Sequence, residues 1–254
     1  MIIDIDVGNT RIKWQASLGD RRIDVGAEQL SEERPLHSVH ATLSSQGDIS
    51  RIRLLSVRSQ ADTARLVDAV KSLWFLEPEM ITSSEAACGV TNSYTQVNTL
   101  GADRWSAIIA GAQRAKKATG SMAVCVVDAG SALTIDLVDG YGVHQGGYIV
   151  PGLSMQLRAL NEGTGNIALA NIPSDAGLQP GLNTRDALIA GILLGVQQLI
   201  LAAVINFERQ QGFKPLLLVT GGDGPILLGG LVKFSNEAQY SPHLVLEGMA
   251  FLCP

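Results

Sequence analysis

One short pattern occurs twice in this chain, and each copy opens a half. Ile2 to Ser17 reads as an apolar strand, the turn Asp6-Val7-Gly8-Asn9-Thr10, and a returning β-prone run from residue 11 to 17. Ala123 to Val138 repeats that order: an apolar strand, Asp128-Ala129-Gly130-Ser131, then a second strand from Leu133. Asp6 and Asp128 stand 122 positions apart in a chain of 254 residues. Self-similarity on that scale indicates a duplicated unit, and a small or polar residue beside Gly suits a tight hairpin. Two related halves are expected, residues 1–118 and 119–254, each beginning with an antiparallel hairpin.

Between and after the hairpins, strands alternate with helices. Ile52 to Val57 has the look of a buried strand, and Ala61 to Trp74 of an amphipathic helix with Leu66, Val70 and Leu73 at helical spacing. Gly101 to Ala118 is helical again, carrying Trp105, Ile108, Ile109 and Ala112 on one face, with Lys116 and Lys117 where cations complement the helix dipole. The second half adds a strand at 146–150, a long helix at about 184–209, a strand at 216–220 and a glycine-rich turn. Such alternation defines an α/β class.

With 24 acidic against 19 basic residues the net charge is -5, which disfavours a nucleic acid or an anionic membrane as partner and favours a small molecule. Cys88, Cys125 and Cys253 are too scattered for a disulfide framework or a zinc site. Asp4 and Asp6 interrupt the opening apolar run at once, unlike a secretory signal. The longest apolar stretch, Leu188 to Ile205, contains Gln197 and Gln198 and reads as a core helix rather than a membrane span. A cytoplasmic location is expected.

The first hairpin carries Asp6, Gly8, Asn9, Thr10 and Lys13, which can direct backbone N–H groups, a hydroxyl and an ammonium at one anion. Asp6 can also hold Mg²⁺ through the ion's own water shell. A plain Gly-Asn surface turn would use the same residues. The second hairpin offers Asp128, Gly130, Ser131 and Thr134, and Val219 to Gly224 supplies a third turn whose glycines admit a flat purine or a ribose. Three such turns in this order indicate nucleotide binding, whereas each alone does not. Gly101-Ala102-Asp103-Arg104, at a helix start, provides a carboxylate for an acceptor hydroxyl and a guanidinium for an anion. Helix capping by Asp103 is the ordinary alternative.

The chain has no P-loop sequence and no Gly-x-Ser-x-Gly elbow. Gly163 to Ala168 fits a dinucleotide fingerprint but follows a helical stretch instead of a strand, so it reads as a loop. His37 and His40 fall in a polar segment that reads as a solvated loop, and neither they, His144, His243 nor the cysteines form a metal-ligand set.

Taken together, Asp6 to Thr10 with Lys13, Leu100 to Trp105, Val127 to Ser131 with Thr134, Gly146 to Gly152, Asn183-Thr184 and Thr220 to Gly224 resemble the type III pantothenate kinases of the acetate and sugar kinase, heat-shock chaperone and actin superfamily. The likeness runs nearly end to end. It implies a duplicated actin-like (ribonuclease H-like) fold with an interdomain nucleotide cleft, and ATP-dependent phosphorylation of the 4′-hydroxyl of pantothenate, the first step toward coenzyme A. By the same likeness Asp103 is the general base. Asp6, Val7, Gly8, Asn9, Thr10, Arg11, Ile12, Lys13 and Ser131 bind ATP, with Mg²⁺ at Asp6 and a monovalent cation, K⁺ or NH₄⁺, at Asp128. Tyr94, Gly101, Ala102, Asp103, Arg104 and Thr184 hold pantothenate, and a homodimer places that site near its interface. Two positions depart from the family pattern: Ser131 replaces a threonine and keeps the hydroxyl, and Val97 replaces a proline, which frees the backbone before Gly101. Another small-molecule kinase of the superfamily, or an ATP-binding accessory factor of transcription, would share the nucleotide turns.

Overall fold

Two carboxylates in an isoleucine-rich run do not stop it from becoming a central strand. In the computed structural model, which describes residues 1–19, 21–164, 171–232 and 238–254, Ile2–Val7 forms β1, with Ile3, Ile5 and Val7 fully buried. It pairs antiparallel with β2 (Arg11–Leu18), which in turn pairs with β3 (Arg21–Gln29). On its other side β1 runs parallel to β4 (Arg51–Ser56), and β5 (Glu79–Ile81) completes a five-stranded sheet of order β3-β2-β1-β4-β5. Parallel neighbours need a crossover, supplied between β1 and β4 by a connection that contains α1 (His37–Leu43), and after β4 by α2 (Gln60–Trp74). Ser59 caps α2, accepting from the Asp62 amide at 3.1 Å.

Two-residue strands β6 (Ala86–Ala87) and β7 (Val90–Thr91) and a 3₁₀ turn at Val97–Thr99 lead into α3 (Ala102–Thr119). The second sheet then repeats the first. β8 (Val124–Ala129) pairs antiparallel with β9 (Ala132–Val138), which is followed by β10 (His144–Pro151) and the helices α4 (Leu153–Thr164) and α5 (Thr184–Gln211). β11 (Leu216–Thr220) runs parallel to β8, and after α6 (Gly224–Leu231) β12 (Gln239–Tyr240) closes the order β10-β9-β8-β11-β12. Strand for strand this is the order of the first sheet, so the duplication read from two hairpins extends through five strands.

The chain divides into two compact units, Met1–Cys88 with Tyr94–Ala110 and Leu244–Pro254, and Gly89–Ser93 with Gly111–His243. The last helix, α7 (Leu244–Leu252), therefore belongs to the first unit. There the Ser106 hydroxyl donates to the Val245 carbonyl at 2.7 Å. The first core gathers Ile3, Ile5, Trp14, Leu54, Leu66 and Val70. It also encloses a polar group: Arg53 Nη1 donates to Asp4 Oδ1 at 3.0 Å and Gln15 Nε2 to Asp4 Oδ2 at 2.7 Å. Burial nevertheless raises the Asp4 carboxyl above its ordinary range, because desolvation outweighs these partners.

The second core is built on α5. This helix is long and apolar enough to cross a membrane by length and composition. Ile189, Leu193, Val196, Ile200 and Phe207 instead pack with Val127, Ile135 and Leu217 in the core of the second unit. One segment reads differently in the structure than in the sequence, and another is mostly undescribed. His37 and His40 lie on α1, not in a loop, with His40 edge-on to Trp74 at 5.1 Å between ring centroids. In the stretch 163–168, residues 165–168 lie outside the described residues.

Candidate active site

The first turn sits where the β1–β2 ladder ends, at the Val7–Ile12 pair. The Gly8 amide donates to the Arg11 carbonyl at 3.0 Å, leaving Asn9 and Thr10 exposed at the tip. Asp6 is buried, directly across the ladder from Lys13, so the two side chains share one face of the sheet. β1 is also where the sheet changes from an antiparallel to a parallel neighbour. The carboxyl end of such a strand is where α/β sheets receive ligands. Arg58, at the end of β4, closes the rim, with Nη1 3.4 Å from the Asn9 carbonyl and Nη2 3.0 Å from Glu32 Oε1.

The second turn has the same plan but is one residue shorter. Ala129 pairs with Leu133, so only residues 130–132 intervene, whereas 8–11 separate Val7 from Ile12. The Gly130 amide donates to the Ala132 carbonyl at 3.1 Å, and Ser131 is exposed. Asp128 faces Thr134 as Asp6 faces Lys13. The cation of the first copy is thus replaced by a hydroxyl in the second.

The third turn rests on the second. The Asp223 amide donates to the Ala129 carbonyl at 3.0 Å, and the Tyr240 hydroxyl donates to the Gly221 carbonyl at 3.1 Å. Gly221 has φ of +87°, and a Cβ there would stand 2.4 Å from the Ala129 carbonyl oxygen and 2.5 Å from Asp128 Oδ1. Only glycine fits. Glycine at 221 thus lets the turn's backbone pack directly against the Ala129 carbonyl and the Asp128 carboxylate.

The acceptor motif is assembled within the first unit. Asp103 lies in the first turn of α3, and its Oδ1 accepts from the Arg104 amide at 2.7 Å. A Cβ on Gly101 would come to 2.5 Å from the same oxygen, so this glycine makes room for the carboxylate to fold back over the helix start. Arg104 is nearly buried; its Nη1 donates to the Tyr94 hydroxyl at 2.9 Å, and its guanidinium carbon lies 5.5 Å from the Tyr94 ring centroid. The approach to the motif is held by the Ser83 hydroxyl, which donates to the Leu100 carbonyl at 2.6 Å. Val97, in place of proline, opens a 3₁₀ turn in which the Leu100 amide reaches the Val97 carbonyl at 3.3 Å.

The predicted residues therefore fall into three groups: Asp6 to Lys13 on the first hairpin; Tyr94 with Gly101 to Arg104 around the start of α3; and Asp128 and Ser131 with the turn 221–224. Thr184 is exposed in the first turn of α5, whose cap is Asn183 accepting from the Asp186 amide at 2.9 Å. Among the described residues no cluster of three or more His, Cys, Asp or Glu side chains is placed to hold a metal ion.

Residues 2–206 match the family model for type III pantothenate kinase. The chain belongs to the type III pantothenate kinase family. It is 34% identical to the type III pantothenate kinase of Cellvibrio japonicus over 98% of this chain and 95% of that protein. The figure is 32% for the Pseudomonas aeruginosa enzyme of that name, over 100% and 99%. Type III pantothenate kinases are phosphotransferases, and the first two turns and the acceptor motif lie within the matched residues, whereas the third turn lies outside them. Among solved structures, a conserved putative Baf family transcriptional activator from Campylobacter jejuni superimposes with a TM-score of 0.62 at 21% identity, covering 98% of this chain and 96% of the other. MreB5 of Spiroplasma citri bound to ADP gives 0.52 at 10%, covering 98% and 94%. At such identities the likeness establishes the fold alone, which is the actin-like α/β duplication.

The network around His144 was not legible in the sequence as anything but a lone histidine. It is fully buried on β10, with Nε2 3.1 Å from Asp136 Oδ1. The usable signal was the spacing of Asp136 and His144 on two β-prone runs, which allows a cross-strand pair only once the hairpin register is known.

Proposed function

We propose that this protein transfers the γ-phosphoryl group of ATP to the 4′-hydroxyl of pantothenate. The observation that carries the reading is the start of α3, where a carboxylate folded over Gly101 stands beside a guanidinium already oriented by Tyr94. In that arrangement Asp103 accepts the hydroxyl proton as the oxygen bonds to the γ-phosphorus and the bond to the β,γ-bridging oxygen breaks, leaving ADP. Arg104 offers donors for the carboxylate of pantothenate, and Thr184 adds a hydroxyl. Lys13, the Gly8–Thr10 turn and Ser131 stabilise phosphate charge, which is most of what a loose phosphoryl-transfer transition state requires. The first unit thus contributes the first phosphate turn and the base, and the second unit the second phosphate turn and the adenosine turn.

Asp6, a single buried carboxylate at a strand end, suits Mg²⁺ held through water. The oxygens beside Gly221 suit K⁺ or NH₄⁺ at Asp128. Bound there, these cations would neutralise phosphate charge. Tyr148, Ile149 and Met155 are exposed large apolar side chains on β10 and α4, available to a homodimer contact, and the acidic net charge supports a small-molecule substrate in the cytoplasm without a nucleic-acid or membrane partner.

The test is an ATP-dependent phosphorylation assay with pantothenate and Mg²⁺, run with K⁺ and with Na⁺ as the sole monovalent cation. Turnover that requires K⁺ supports the reading in full. ATP binding without turnover in either salt overturns it and favours another acceptor or an accessory role.

A further inference from the structure

The residues just before Tyr94 are fastened to the β9–β10 hairpin. The Thr91 amide donates to the Gly142 carbonyl at 2.9 Å, Thr91 bridges Val143, and Ser93 Oγ lies 3.4 Å from His144 Nδ1. Behind His144 stands Asp136, 1% exposed, and the hairpin turn is built by Asp139, whose Oδ1 accepts from the Tyr141 and Val143 amides at 2.9 Å. A carboxylate can only accept, so Asp136 fixes a proton on His144 Nε2 and leaves Nδ1 facing the Ser93 hydroxyl. The imidazole has no exposed surface, which unsuits it for exchanging protons with a substrate and suits it for holding a chain segment.

We propose that His144, oriented by Asp136, is a positioning residue for the acceptor substrate. It fixes Ser93, the peptide neighbour of Tyr94, and so sets where the Tyr94 hydroxyl meets Arg104. The proposal rests on the reading of Tyr94 and Arg104 as pantothenate ligands. Its signature is an effect on the acceptor rather than the nucleotide, because the link runs from His144 through Ser93 to Tyr94 and leaves the side chains of the second turn, at the other end of β9, in place.

Two conservative variants separate the links. In His144→Gln the side-chain amide can still reach Asp136 but not Ser93, whereas Ser93→Ala removes the hydroxyl and leaves the buried pair intact. Both are expected to raise KM for pantothenate about fivefold to tenfold, the scale of one lost orienting contact, with kcat within about twofold and KM for ATP unchanged. The double variant should be no worse than either single one, since both cut the same link. His144→Asn, which places an amide near the Nδ1 position, should recover much of the KM. Amide hydrogen exchange across residues 92–96 gives a readout independent of turnover, and protection there should fall in His144→Gln and Ser93→Ala. An unchanged KM for pantothenate together with unchanged exchange overturns the proposal, as does a parallel loss in kcat and both KM values. Wild-type protein that fails to phosphorylate pantothenate would instead refute the parent reading, while the exchange data still decide whether His144 holds the segment.

Discussion

A Cβ on Gly221 would lie 2.5 Å from Asp128 Oδ1, so the third turn can close on the second only because residue 221 has no side chain. Gly221→Ala must both move that carboxylate and hold alanine at φ +87°. The strain alone is about 1–3 kcal/mol. Thermal unfolding of the variant should begin several degrees below wild type, and activation by K⁺ should weaken as Asp128 is displaced. A variant as stable as wild type would mean that the turn relaxes freely.

Asp128→Ala tests the cation without the steric change. Asp128 is half-buried at the end of β8, so truncation should leave the fold standing while the K⁺ titration of activity shifts to much higher concentration. An identical titration curve would remove Asp128 from the cation site.

Asp103→Asn keeps the size of the side chain and its acceptor oxygen for the Arg104 amide but removes the base. General acid–base catalysis contributes about 10²–10⁴-fold, and kcat is expected to fall within that range. ATP affinity, measured by calorimetry, should hardly change. Undiminished turnover would reassign Asp103 to helix capping.

The repeated Asp-x-Gly turns made the duplication legible, because hairpin geometry depends on local residue types. What the sequence concealed is instructive. The second turn differs from the first by one residue, visible only through the pairing of Ala129 with Leu133. β3 has no buried apolar face to read: Ile23, Val25 and Ala27 alternate with Asp24, Gly26 and Glu28, but on this edge strand the apolar positions are the exposed ones. α1 was missed because His37, Ser38 and His40 look like loop residues, and it is the packing of Val39 and Leu43 into the core that makes them a helix. Long-range partners such as Ser83 with Leu100, or Ser93 with His144, have no local signature at all.

Arg104 holds Tyr94 by a hydrogen bond and through its ring face, and a lysine cannot reproduce both with the same geometry. Arg104→Lys should raise KM for pantothenate by about tenfold or more, as expected for loss of roughly 1.4 kcal/mol, and Tyr94→Phe by less, since the ring contact survives. Equal effects in the two variants, or an effect on KM for ATP instead, would argue against Arg104 as the acceptor-site anchor.

The last prediction concerns acid stability. Hydrogen bonds from Arg51, 2.8 and 2.7 Å to the two carboxylate oxygens, hold Glu79 down to about 2, assisted by the Cys253 thiol. Arg51 also donates to the Pro254 carbonyl at 3.1 Å, so this surface pair ties the chain end to β4 and β5. A carboxyl whose folded value lies below its unfolded one contributes stability above the unfolded value, and that contribution is lost as pH falls toward the folded one. For Glu79 the window runs from 4.5 in the unfolded chain down to about 2. Because the pair is solvent-screened, the effect is modest. In Glu79→Gln the fall in unfolding temperature between these pH values should be shallower than in wild type, with the two proteins converging at the acid end. Parallel curves across the window would show that the Arg51–Glu79 pair contributes nothing in solution.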